Sequence, residues 1–169
     1  MDADSLRALQ APLKASYRED PQAAVVVLRS EGRLGDESIT CKVDTGRALI
    51  EAGLHPASGG TGVHACSGDM LLEALVACAG VTLKAVATAL NIEVRKGTVC
   101  AEGELDFRGT LGVDKEAPVG FRDIRLSFDL DTDASDEQLA TLHKLTERYC
   151  VVYQTIKNPP VLAAAIHRI

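Results

Sequence analysis

The sequence is short of positive charge. Eighteen Lys and Arg stand against twenty-four Asp and Glu, a net charge of −6, which excludes a broad electrostatic grip on nucleic acid or on an anionic lipid surface. Long uncharged apolar runs are missing too, and none approaches the roughly 20 residues that a membrane span requires. The first residues, Met-Asp-Ala-Asp-Ser-Leu-Arg, carry early acids and no apolar stretch of the secretory kind, so the expected location is cytoplasmic. Internal repeats and low-complexity segments are absent. Five cysteines, at 41, 66, 78, 100 and 150, are an odd number in a 169-residue chain without an export signal. That argues against a disulfide framework and for reduced thiols.

Several common site motifs are also lacking. There is no GxSxG elbow, no CxxC or HxxxH pair, and no lysine after the loop glycines as a P-loop requires. Gly60-x-Gly62-x-x-Ala65 fits a loose dinucleotide fingerprint, but no strand precedes it and the next helix begins too late to offer amides to a pyrophosphate. His64 and Cys66 are two apart, a spacing a metal site could use, yet no partner pair completes a zinc set. Neither a cofactor nor a metal is expected.

What is present suits one compact domain of 17.9 kDa, with 46% hydrophobic and 25% charged residues. The division expected is an N-terminal helical extension over residues 1–20 and a single domain over 21–169. Leu6, Leu9, Leu13 and Tyr17 predict an amphipathic helix over 4–17, interrupted by Pro12. The run AAVVVL and the alternation in SITCKV, with turn residues from Gly32 to Gly35 between them, predict a hairpin that turns Cys41 toward a core. Residues 55–68, with four glycines, form a loop long enough to invite a functional role.

The pattern then becomes helical over residues 70–90. Leu71, Leu75, Cys78, Thr82 and Val86 form one stripe, and Leu72, Val76, Ala79, Leu83, Ala87 and Leu90 form the next. A helix apolar on most of its circumference is buried on most of it, so this is the expected central helix, with Ser67 or Asp69 as its N-cap. Strands are predicted over 94–107 and 121–130, with Cys100 on the more polar face of the first as a bystander. Ser135 to Gln138 is a capping box opening a second helix that runs through Cys150 and stops at Asn158-Pro159-Pro160. VLAAAI offers a closing strand. The fold class is α+β, a mostly antiparallel sheet packed on a buried central helix.

Cys78 and Cys150 lie on two helices that must both pack on one sheet. Each alone reads as an inert core thiol; as a pair, they suit peroxide reduction, which needs two thiols within bonding reach. The segments SGDMLLEALVACAG, VTLKAVATALNI and RYCVVYQTI resemble the OsmC/Ohr family of thiol-dependent hydroperoxide reductases over roughly residues 59–157. The resemblance implies an intertwined homodimer that reduces organic hydroperoxides in oxidative-stress defence and is recycled by a dithiol reductant. It implies Cys78 as the peroxidatic thiol and Cys150 as the resolving one. Cys66, twelve residues upstream, is a second candidate for resolution.

In that family a Pro-Glu pair before the first cysteine holds an arginine against the thiolate; here those positions are Ser67 and Gly68. Asp69 is the nearest replacement, and Arg33 or Arg47 the nearest arginine, with Arg33 favoured. The arginine matters because an ordinary cysteine is only about 3% thiolate at pH 7, and a close guanidinium lowers an acid's pKa by ~1–3 units. The rival reading is a non-enzymatic protein of the same fold that holds an apolar ligand at its dimer interface, with the cysteines as packing residues.

Overall fold

The computed structural model describes residues 3–34, 41–43 and 52–168, and the side chains of residue 8, 10–27 and 52–168. Helix α1 (Ala3–Glu19) leads through a 3-10 turn (Pro21–Ala24) into strand β1 (Val25–Leu34), which pairs with the short strand β2 (Cys41–Val43). A 3-10 turn at Pro56–Ser58 precedes the long helix α2 (Ser67–Ala89). Strand β3 (Lys96–Asp106), a single helical turn α3 (Phe107–Thr110) and strand β4 (Phe121–Asp131) follow. Helices α4 (Asp136–Tyr149) and α5 (Val151–Lys157) complete the fold. The sheet is antiparallel throughout, in the order β2-β1-β3-β4. The α+β architecture is the one the patterning predicts.

Helix α2 organises the layers. Leu72, Val76, Ala79, Leu83 and Ala87, all on the second predicted stripe, are buried. They pack with Val99 and Ala101 of β3 and with Leu142 of α4. By length and composition α2 could cross a membrane; here its apolar face covers the sheet. Burial is less complete than the sequence suggests, since Leu71 and Val81 are each 39% exposed in the single chain. On β4 the predicted alternation holds, with Ile124, Leu126, Phe128 and Leu130 half-buried between exposed neighbours. Gly103 leaves room for the ring of Phe121, which a Cβ there would meet at 2.6 Å.

Several local expectations are corrected. Helix α1 runs unbroken through Pro12. Strand β1 continues through Gly32 to Leu34, so the hairpin turn begins later than Gly32 and falls outside the described residues. The side chain of Cys41 is outside them as well. Cys66, not Ser67 or Asp69, is the N-cap of α2, and its side chain packs against the core instead of capping. Cys100, on the more polar face, is nevertheless buried, since β3 is a central strand. VLAAAI makes no strand; Val161, Leu162 and Ile166 are exposed at 100%, 85% and 101%.

Helix α1 docks on the loop before α2. Tyr17 is buried with Ala24, Phe107 and Leu111, and its hydroxyl donates to the Ala57 carbonyl at 2.6 Å. Gln10 donates to the Ser58 carbonyl at 3.3 Å. The loop folds back tightly at Gly60, where a Cβ would overlap the Leu54 carbonyl. His55 accepts from the Ala57 amide and stacks on Phe107 with ring centroids 4.9 Å apart.

Leu72 is fully buried between α2 and the sheet. Leu72→Ala is expected to cost about 2–5 kcal/mol, read as a lower urea midpoint at an unchanged slope.

Candidate functional site

The second helix of the sequence pattern is two helices, and the break between them builds the site. At Cys150 the backbone is extended (φ −71°, ψ 109°), and the residue is at once the C-cap of α4 and the N-cap of α5. Its amide still donates to the Thr146 carbonyl at 2.9 Å, and its carbonyl accepts from the Gln154 amide at 2.9 Å. Two local features favour the break. The buried Thr146 hydroxyl donates to the Leu142 carbonyl at 2.8 Å, a back-bond that bends helices. The β-branched pair Val151-Val152 follows, and such residues lose rotamer freedom in a helix.

A restarted helix exposes a fresh set of amide donors. The Tyr153 amide donates to Cys150 Sγ at 3.4 Å. Cys78 faces the break from α2, where the amides of Val152 and Val151 favour its anion. The Cys150 thiol, and the Thr82 hydroxyl one turn along α2, act on the acidity of Cys78 in the same direction as those amides. Both cysteines are free thiols, Cys78 half-buried and Cys150 fully buried.

These contacts split the two acidities. Burial pushes the Cys78 thiol up, but the Val152 amide, the Cys150 thiol, the Val151 amide and the Thr82 hydroxyl outweigh it, leaving Cys78 below the usual thiol value. Cys150 is pushed up to about 11, first by burial and further by the neighbouring Cys78. Of the two sulfurs, Cys78 is the more acidic.

Of the remaining sequence-predicted residues, Asp69 and Cys66 are not gathered here. Asp69 lies nine residues before Cys78 on the same helix, roughly 14 Å away at 1.5 Å per residue. Burial raises its carboxyl, opposed by the nearby His55. Burial and the charge of Asp69 likewise raise Glu73. Among the described residues no arginine pairs with either acid. Arg33 lies on β1 opposite Thr98 of β3; its side chain, and all of Arg47, lie outside the described residues. Cys66 sits at the start of α2, and twelve residues of helix put it roughly 18 Å from Cys78 along the axis. Among the described residues no group of His, Cys, Asp and Glu could hold a metal ion. Thr82 and the two valine amides escaped sequence reasoning; only the i,i+4 spacing of Cys78 and Thr82 was visible there.

A cleft of about 550 Å³ opens between α2, β4 and α5, lined by Leu71, Leu75, Phe121, Ile124, Tyr153 and Ile156 among others. Leu75 precedes Cys78 by one turn, and Tyr153 supplies the amide on Cys150, so the cleft adjoins the thiol pair. Its size and apolar walls are those of a small-molecule site.

Residues 60–164, well over half of the chain and including both thiols, match the family model for OsmC-like protein. The chain belongs to the OsmC-like family. Among solved structures, an OsmC-like hydroperoxide resistance protein from Jannaschia sp. CCS1 is similar, with a TM-score of 0.59 and 18% identity over 86% of this chain and 95% of that one. The OsmC-like protein of Mycoplasma pneumoniae is similar at a TM-score of 0.54 and 18% identity, over 80% of this chain and 86% of that one. At this identity the likeness is one of fold. No curated protein matches the sequence.

For this OsmC-like chain, the site predicts an ordered reactivity. In native protein titrated from pH 6 to 12 and alkylated briefly, site-resolved mass spectrometry is expected to give Cys78 a modification midpoint below that of an ordinary thiol. Cys150 is expected near 11. The reverse order would contradict the hydrogen-bond assignment.

Proposed function

We propose that this OsmC-like protein is a thiol-dependent peroxidase acting on organic hydroperoxides. The observation that carries the reading is the juxtaposition of two free thiols, Cys78 on α2 and Cys150 at the break between α4 and α5, each of which shifts the other's acidity. In this reading the Cys78 thiolate attacks the terminal peroxide oxygen; an S–O bond forms and the O–O bond breaks. The sulfur is oxidised to sulfenic acid, and the alkoxide leaves as an alcohol after taking a proton. Cys150 then attacks the sulfenic sulfur, an S–S bond forms, and the oxygen leaves as water with the Cys150 proton. A dithiol reductant restores both thiols by exchange.

The apolar cleft beside Leu75 supports an organic peroxide over hydrogen peroxide, since it stabilises an alkyl chain and gives a small polar molecule nothing to bury. Arg33 or Arg47, anchored by Asp69, belongs to the same reading as a cation added to the donors on Cys78. We read the working unit as a homodimer in a reducing, cytoplasm-like compartment. The half-covered inner face of β4 and the exposed Val161, Leu162 and Ile166 are apolar surface that a second copy would bury. Light scattering is expected to give twice 17.9 kDa.

Reduced protein mixed with one equivalent of tert-butyl hydroperoxide is expected to lose two thiols within seconds and to yield a 78–150 disulfide in non-reducing peptide maps. Cys78→Ser is expected to abolish peroxide consumption, and Cys150→Ser to permit a single equivalent. Five intact thiols after minutes would overturn the reading. They would favour the second one, which the cleft supports: an OsmC-fold protein that binds an apolar ligand without chemistry, detected as a ligand-dependent rise in Tm.

A further inference from the structure

A helix that stops leaves its last carbonyls without the amides that would have followed. In α4 the Thr146 carbonyl keeps its partner, the Cys150 amide at 2.9 Å. The next carbonyl, that of Glu147, would take the Val151 amide in an uninterrupted helix. The extended backbone at Cys150 turns that amide away, and Val151 opens α5 instead. The Glu147 carbonyl is not left unpaired. The side chain of Gln154, seven residues on and one turn into α5, donates Nε2 to it at 2.8 Å.

The rest of Gln154 is held as well. Asn158 Nδ2 donates to Gln154 Oε1 at 3.1 Å, and with the oxygen taken, the nitrogen is the end that faces Glu147. The Gln154 amide donates to the Cys150 carbonyl at 2.9 Å. One half-buried residue is thus tied to the last turn of α4, to the break itself and to the far end of α5. A helix of seven residues does not hold its own course in water, so these ties fix the angle at which α5 leaves α4. That angle decides where the Tyr153 amide, 3.4 Å from Cys150 Sγ, comes to lie.

We propose that Gln154 is a positioning residue: its side-chain amide takes the place of the Val151 amide on the Glu147 carbonyl, keeps the helix break open and holds α5 against the thiol site. It acts through α5, not on the sulfurs themselves. Its catalytic meaning rests on the peroxidase reading, but its test does not.

The experiment is native-state hydrogen exchange of the full-length reduced protein, read by mass spectrometry. It is paired with pH profiles of Cys78 and Cys150 alkylation by iodoacetamide, with no peroxide present. Gln154→Met keeps the length of the side chain and removes the donor. Gln154→Lys restores a donor, of the charge that suits the C-terminal end of a helix. In the methionine variant, protection of the α5 amides is expected to fall about tenfold while that of α2 and α4 is unchanged. The Cys150 midpoint is expected to move from about 11 down toward an ordinary thiol as α5 uncovers it. The Cys78 midpoint is expected to rise. The lysine variant is expected to return both readings toward wild type. If Gln154→Met does not fold, Gln154→Glu, of equal length and without a donor at neutral pH, gives the same comparison.

Wild-type protection and midpoints in a folded donor-free variant would overturn the proposal. So would an equal loss of protection across α2 and α4, which would mark a general loss of stability, or a lysine variant that behaves like the methionine one. The expected pattern in a protein that consumes no peroxide would leave Gln154 as assigned and remove the peroxidase reading instead.

Discussion

The break at Cys150 is the constraint on which the site depends. An uninterrupted helix from Asp136 to Lys157 would turn its amides inward to carbonyls four residues earlier, leaving none for a sulfur. By stopping and restarting at one extended residue, the chain frees the amides of Val151, Val152 and Tyr153 where α5 meets α2. The continuity of α2 then matters equally. Its buried stripe, held by β3 and α4, fixes where Cys78 faces along the interface. A rigid helix presents the sulfur, and a broken one supplies its donors.

Burial and hydrogen bonding oppose one another at both cysteines, and the balance differs because their surroundings differ. Cys78 is only half-buried, and the donors near it outweigh burial, so its acidity is raised. Cys150 is wholly buried and has the neighbouring Cys78 to contend with, so it keeps its proton. Backbone amides are economical donors here. They carry no counter-charge needing its own partner, and they are oriented by the helix they begin, so little ordering entropy is lost on holding the sulfur. An arginine adds charge, but must bring a long side chain and a carboxylate to hold it.

Much of this architecture was legible in the sequence because it is periodic. The apolar spacing from Leu71 to Ala87 marks α2, the alternation of Ile124 to Leu130 marks β4, and Ser135 with Gln138 marks the start of α4, where both capping bonds form. The unread parts are those in which one residue departs from its neighbours. Nothing in RYCVVYQTI distinguishes a helix that pauses at Cys150 from one that continues, since the stripe of apolar residues persists on either side. The burial of Cys100 depends on its strand lying between β1 and β4, an order that sequence alone does not give. The VLAAAI segment has strand composition, but the described fold offers it no pairing partner. Cys66 stands apart from the Cys78 of its own chain on helix rise alone, because twelve residues of α2 separate them.

The opposed acidities also order the two thiols in time under the peroxidase reading. While Cys78 is a thiolate, its negative charge helps keep Cys150 protonated, so the resolving thiol cannot compete for the peroxide. Once Cys78 is oxidised to a neutral sulfenic acid, that repulsion disappears, and the amides that held the first anion are free for the second. The Tyr153 amide already rests on Cys150 Sγ. The penalty of burial remains, but it now acts on a thiol whose target is the neighbouring sulfur. Proton loss can therefore accompany attack on the sulfenic sulfur instead of preceding it. A single patch of backbone donors thus serves each sulfur in turn, and the sequence of events follows from which of the two carries charge.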